Sequence, residues 1–406
     1  MKYIVMLGDG MAGEPLEELG GRTTLEAAVT PEMDRLAAVS EIGTVCMVPE
    51  EMAPGSDTAN LSVMGYDPRK YYTGRSPLEA LSIGVELQPE DVAVRCNLVT
   101  LSEEETNYED RRILDHSSEE ISTEDAAILL DALKAAFHED AAVNDTYHFY
   151  VGTSYRHLLV INGGTVQELT PPHDILTRRI GEYLPQDPIL QYMMKQSYEI
   201  LEQHPLNQER RRRGLRPANS AWFWGAGTKP ELMNFEEKTG KKGVMISAVD
   251  LLKGIAVGAG ITQIAVEGAN GGLHTNYEGK AQAALDALLK EGYDFAYIHV
   301  EAPDEMGHQG RTADKIRAIE SIDQRILAYL TKTLDKSGED YRILILSDHP
   351  TPIRVRTHTK DPVPYMLYDS RRPVQGAEGY YEKTASESGR QWKKEGYCLL
   401  EHLLEN

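Results

Sequence analysis

Cysteine is scarce. The three residues Cys46, Cys96 and Cys398 are odd in number, far apart and nowhere in C-x-x-C spacing. That excludes a disulfide framework and a thiolate zinc site, and it is the usage of a reducing compartment. Long apolar runs are also missing: nothing reaches the roughly 18 residues of a membrane span, and the apolar stretch at Tyr3 to Leu7 is too short for a signal core. The expectation is a soluble cytoplasmic protein with no membrane partner. Positive charge is short as well, with 42 Lys and Arg against 64 Asp and Glu, a net of −22. Such a chain repels phosphate backbones and anionic lipid, so nucleic acid is excluded as a partner. The basic run Arg210 to Arg213, without interleaved aromatics, reads as a solvated helix face. An acidic protein that handles small anions must do so at a few concentrated cationic points, such as bound metal ions.

What is present is an alternation of strand and helix. At roughly 150 residues per domain the length predicts two or three domains, and the 41% hydrophobic content is enough for a sizeable core. Tyr3 to Leu7, Phe295 to Val300 and Ile343 to Leu346 are short β-rich apolar runs that end abruptly in polar residues, as buried parallel strands do. Helical spacing runs over Gly279 to Lys290 and Asp314 to Leu334. The middle of the chain differs: charged loops, an amphipathic helix over Glu124 to Phe137, and short strands at 147–151 and 157–161. This predicts an α/β fold with a parallel-rich sheet flanked by helices, formed by residues 1–85 and 222–406, and an inserted α+β domain over 86–221. No phosphate-binding G-x-x-x-x-G-K-[ST] occurs, and the glycine-rich segment from Gly8 to Gly13 is read as carrying a metal ligand, Asp9, rather than a nucleotide.

Ligands of open parallel sheets bind beyond the carboxyl ends of the strands. Those positions here hold Asp9, the run Glu301 to His308 with Asp304 and His308, and Ser347-Asp348-His349; His358 stands further on. Singly, Asp304 reads as a helix cap and each histidine as an ordinary satisfied residue. Together, carboxylates and imidazoles without thiolates are the donor set for manganese, zinc or magnesium in an open catalytic site. Ser56, in Gly55-Ser56-Asp57, opens a helix; it reads either as an N-cap or as a nucleophile at the positive end of the helix dipole.

The segments Gly8-Asp9-Gly10, Gly55-Ser56-Asp57, Asp304-x-x-x-His308, Ser347-Asp348-His349 and Thr357-His358-Thr359 resemble, in order and type, the motifs of the cofactor-independent phosphoglycerate mutases of the alkaline phosphatase superfamily, archaeal-type branch. That branch includes members proposed to act as homoserine kinases. The resemblance implies an alkaline-phosphatase-like core and two divalent metal ions, manganese foremost, with zinc or magnesium as alternatives. Asp304, His308 and His358 would hold one; Asp9, Ser56, Asp348 and His349 the other. It further implies a small phosphorylated substrate, a phosphoserine at Ser56 that carries phosphate between the two hydroxyls of glycerate, and an inserted domain that closes over the metals. Arg156, Arg216 and Lys253 are the candidates to offset substrate charge. Relatives commonly carry Ser-Ala-Gly-His/Arg-Ile where this chain has Ser117-Ser118-Glu119-Glu120-Ile121. Glu120 at an acceptor pocket would disfavour glycerate and favour an ammonium group, which keeps a homoserine kinase-like phosphotransferase as one alternative; a metal-dependent phosphomonoesterase is another. The oligomeric state is not legible.

Overall fold

The computed structural model describes residues 1–143 and 145–405. In chain order its strands are β1 (Lys2–Gly8), β2 (Glu41–Val45), β3 (Val92–Leu101), β4 (Ile113–Asp115), β5 (Tyr147–Thr153), β6 (Arg156–Ile161), β7 (Ser220–Thr228), β8 (Gly243–Ile246), β9 (Thr262–Gln263), β10 (Phe295–Val300), β11 (Tyr341–Leu346) and β12 (Val363–Asp369). The chain divides into two compact units, Met1–Tyr72 with Glu231–Asn406, and Thr73–Pro230.

The first unit is built on a seven-stranded sheet in the order β2-β12-β11-β1-β10-β8-β9. Strands β11, β1, β10, β8 and β9 are mutually parallel, and β12 and β2 add an antiparallel edge. Every residue of β10 and β11 is buried. Strands covered by helices on both faces need such continuous apolar runs, which is why they are readable in the sequence. The predicted strand Phe295 to Val300 is found with those bounds, and the other two each gain two residues. Predicted helix Gly279 to Lys290 is found over Tyr277–Leu289.

The long helix predicted over Asp314 to Leu334 is interrupted. Thr312–Ser321 and Ala328–Ser337 are joined by a π turn at Ile322–Leu327. The buried Asp323 carboxylate in that turn accepts the backbone N–H groups of Met33 (2.6 Å) and Glu32 (3.2 Å), closing the start of the helix Pro31–Ala37. Glycines 8, 10 and 13 do stand in G-x-G-x-x-G spacing, but no helix starts behind them. The segment makes bridges to Pro350 instead, so the geometry of a dinucleotide loop is absent.

The second unit centres on β3, which pairs antiparallel with β6, β7 and, at its end, β4; β5 pairs with β6. Its core face carries Val94, Cys96 and Leu98 against Leu129, Leu133, Met193 and Leu201 of the helices Thr123–His138 and Pro188–Glu202. On the other face Ala93, Leu158 and Val160 pack with Ala80 of the helix Arg75–Ser82. That helix rides on β3 and β7, so the unit begins at Thr73 and ends at Pro230, wider than the expected 86–221.

Candidate active site

Each predicted ligand is set down by a strand end or a helix turn of the first unit. Asp9 follows β1 directly, and Asp348 and His349 follow β11, the two strands being neighbours in register. Asp304 and His308 lie four residues apart on the helix Ala302–His308, and that spacing puts both on one face. His358 comes from the loop before β12. Ser56 is the first residue of the helix Ser56–Val63 with Gly55 at the cap, so the N-cap reading is incorrect: its hydroxyl is not spent on the helix.

These side chains converge. His349 Nε2 is 3.1 Å from Ser56 Oγ, 3.3 Å from Asp348 Oδ2 and 3.6 Å from Asp9 Oδ1. Asp304 reaches His308 Nε2 at 3.2 Å and His358 Nε2 at 3.4 Å, and the two imidazoles meet Nε2 to Nε2 at 2.9 Å. The rings of His349 and His358 stack at 3.9 Å between centroids. Two sets of donor atoms lie close enough to share a cation: Asp304, His308 and His358, and Asp9, Asp304 and His349. Asp304 thus stands between the two expected groups rather than in one alone. Gly10, with φ of 57°, is required here, since a Cβ would collide with Thr351 Oγ1 and the Asp304 carboxylate.

The electrostatics fit divalent cations. Asp9, Asp304, Asp348 and His349 are all buried, and among the described residues Asp9 Oδ1 has no hydrogen-bond partner. Buried carboxylates without a counter-charge are costly unless they pair or coordinate a metal. Burial, then the charges of Asp348, Asp304 and Glu301, raise the Asp9 carboxyl well above its ordinary value. Burial would also raise Asp304, but hydrogen bonds from His308 and His358 and the nearby imidazoles hold it well below. Its hydrogen bond to Asp304 lifts His308 to about 9 against opposing burial.

Several participants carried weak sequence signals or none. His299 is fully buried in β10, its Nε2 2.9 Å from Asp9 Oδ2 and its Nδ1 3.2 Å from Ser247 Oγ, which fixes the Asp9 carboxylate from behind. A tyrosine and a histidine inside an otherwise apolar strand are a usable signal. Asn60 donates to Asp348 Oδ2 (2.9 Å) and to the Ser56 carbonyl (2.8 Å) and accepts from the Tyr297 hydroxyl (2.6 Å). The buried Lys315 donates to the carbonyls of Ala12 and Thr351, clipping together the loops that follow β1 and β11. In the sequence both look like helix-surface residues.

The four proposed substrate contacts are placed as follows. Lys253 pairs with Asp250 at 3.0 Å in the first unit. In the second, Arg216 donates to the Leu114 carbonyl (2.7 Å) and pairs with Asp115 (3.7 Å). Arg156 is exposed on β6 against the Tyr155 ring. Glu120 is exposed, third in a run of left-handed residues, Ser118, Glu119 and Glu120.

Residues 37–207 match the family described as 2,3-bisphosphoglycerate-independent phosphoglycerate mutase, and residues 181–352 match that of type I phosphodiesterases and nucleotide pyrophosphatases. The protein is similar along its length to curated mutases of that name. One from Methanosarcina acetivorans is 46% identical over 96% of each chain. Another, from Methanosarcina barkeri, is 48% identical over 95% of each. Among solved structures, a protein from Pyrococcus horikoshii has 29% identity and a TM-score of 0.81 over 99% of this chain and 97% of its own. A cofactor-independent phosphoglycerate mutase from Thermoplasma acidophilum has 26% identity and a TM-score of 0.65 over 100% and 99%.

Proposed function

The chain belongs to the 2,3-bisphosphoglycerate-independent phosphoglycerate mutase family, and from that premise we propose that it interconverts 3-phosphoglycerate and 2-phosphoglycerate through a phosphoserine at Ser56. The observation that carries this reading is the Ser56 hydroxyl, uncommitted to its helix and 3.1 Å from His349 within the carboxylate and imidazole cluster. In the first step Ser56 Oγ bonds to phosphorus as the bond from phosphorus to O3 of the substrate breaks, and the departing glycerate oxygen takes a proton. In the second, O2 of the held glycerate attacks the phosphoserine and Ser56 recovers its proton. Splitting one awkward transfer into two in-line displacements is the gain from covalent catalysis.

Asp304, His308 and His358 would hold one divalent ion and Asp9, Ser56, Asp348 and His349 the other, the donor chemistry suiting manganese. Such ions would lower the serine pKa and offset phosphoryl charge. His299, Asn60 and Lys315 keep the ligands in place. The helix starting at Ser56 places its positive dipole end beside that hydroxyl, which favours an anion there. Of the candidate substrate contacts, Arg156 is kept for substrate charge, whereas Arg216 and Lys253 are committed to Asp115 and Asp250. Three free cysteines accord with a cytoplasmic location.

The decisive assay supplies 3-phosphoglycerate to the manganese-loaded chain and measures 2-phosphoglycerate by a coupled enzyme, beside ATP with homoserine. Turnover only with ATP and homoserine would reject the mutase. Phosphate release from 3-phosphoglycerate outpacing isomerisation would make it a phosphomonoesterase.

A further inference from the structure

The loop that follows β11 carries a threonine that touches a member of each donor group. Thr351 is fully buried. Its N–H donates to the Ala12 carbonyl (3.1 Å), and its own carbonyl accepts from Lys315 Nζ (2.8 Å), so the backbone is fastened on both sides of the hydroxyl. Two glycines make room for the side chain. A Cβ at Gly10 would strike its hydroxyl, and a Cβ at Gly307, in the helix Ala302–His308, would strike its methyl and carbonyl. The loop after β1, the helix that carries Asp304 and the loop after β11 thus close on one small polar residue.

A hydroxyl has one proton to give and two lone pairs. Thr351 Oγ1 donates to Asp304 Oδ1 at 2.5 Å and lies 3.3 Å from His349 Nδ1. Among the described residues no other hydrogen bond reaches either of these two atoms, Oγ1 and Nδ1. A carboxylate that ligates a cation only accepts, so the threonine proton belongs to Asp304. The contact with His349 is then a hydrogen bond in one direction alone, Nδ1–H donating to the threonine oxygen. An imidazole with its single proton on Nδ1 has a bare Nε2. That nitrogen is the one turned to the site, hydrogen-bonded to Ser56 Oγ at 3.1 Å. Asp348 Oδ2 and Asp9 Oδ1 lie 3.3 and 3.6 Å from it. The Asp348 carboxylate is already occupied, accepting from the N–H groups of Gly10 and His349 and from Asn60 Nδ2. The His358 ring, stacked at 3.9 Å, holds the plane of the imidazole.

We propose that Thr351 is a positioning residue that fixes His349 in its Nδ1–H tautomer, so that Nε2 keeps its lone pair for a cation and, without one, accepts a hydrogen bond from the Ser56 hydroxyl. The inference rests on the reading of Asp304 and His349 as metal ligands and deepens it. One hydroxyl ties the protonation pattern of His349 to Asp304, the residue that the two donor groups share. A methyl in its place would leave Nδ1–H buried without an acceptor, which is costly. The proton is then better placed on Nε2, donating to Ser56 Oγ, where it blocks the ligand position.

The test is a long-range proton–nitrogen correlation spectrum of the full chain, isotope-labelled at histidine, free of metal and at about pH 8, above the ordinary imidazole range. The His349 signals are identified by their loss in His349→Gln. The wild type should show a protonated Nδ1 and a bare Nε2. Thr351→Val keeps the shape and removes the hydroxyl. It should move the proton to Nε2 and lower manganese affinity, read by calorimetry, by about 10- to 100-fold, the usual cost of losing a support to a metal ligand. Thr351→Ser returns the hydroxyl and should restore both readouts. A protonated Nε2 in the wild type would overturn the proposal, and that measurement stands even if Thr351→Val does not fold. So would a wild-type tautomer in Thr351→Val, or a Thr351→Ser as damaged as Thr351→Val, which would make methyl packing responsible instead of the hydroxyl. A wild type that binds no manganese sinks the ligand reading, while the spectrum of the metal-free chain still decides the tautomer.

Discussion

The two units meet anionic chemistry in opposite ways. In the first, a parallel sheet delivers buried carboxylates and imidazoles to one place, an arrangement whose carboxylates by themselves repel phosphate. In the second, an antiparallel sheet holds the nearly buried Arg95 over Trp224 on the face that the helix Arg75–Ser82 also packs against. The difference follows from topology. A parallel sheet sandwiched between helices offers its strand ends, whereas in the antiparallel sheet strand alternation decides which side chains share a face.

Changes in the first unit should break turnover. Ser56→Ala removes the nucleophile and should lower isomerisation by about 10⁴-fold or more, with the fold retained and metal still measurable by elemental analysis. Residual activity near wild type would reject the phosphoserine. His308→Ala should lower manganese affinity by about 100-fold, since a first ligand matters at least as much as its supports. Calorimetry should also find that manganese affinity climbs with pH toward about 9, where His308 gives up its proton. A pH-independent affinity would remove His308 from the ligand set. Asn60→Ala frees Asp348 and the Ser56 carbonyl and should cost about 10- to 100-fold in kcat.

The smallest effect belongs to the second unit. His157, buried on β6 and accepting the Gly152 N–H, is lowered to about 4 by burial. Its folded value is below its unfolded one, so the stability it contributes is full above about 6.5 and is lost as pH falls toward 4. Between pH 7 and 5 the unit should lose about 2 kcal/mol in denaturant titrations, and His157→Asn should flatten that slope. An unchanged slope in the variant would show that other groups set the acid sensitivity.

Legibility in the sequence tracked the locality of the signal. Phe295 to Val300 was readable because burial on both faces demands an unbroken apolar run. The helix over Asp314 to Leu334 was readable as a helix but not as an interrupted one, because the π turn serves Asp323, whose partners are some 290 residues away. The unit boundary shifted for a similar reason: the helix Arg75–Ser82 looks like any amphipathic segment until its packing on β3 and β7 is known. Arg95 lay inside a strand that read as charged loop.

The sequence by itself determined the chemistry available: which residues can ligate a cation, which serine follows a glycine at a helix start, and that the chain has too little positive charge to manage phosphate without help. Those are properties of residue type and short spacing. Tertiary structure alone decided that Asp304 stands between the two donor groups, that His299 and Asn60 hold Asp9 and Asp348, and that a buried arginine meets a tryptophan on one face of an antiparallel sheet. Each depends on register between strands that are distant in the chain, and register is set by packing rather than by any local run of residues.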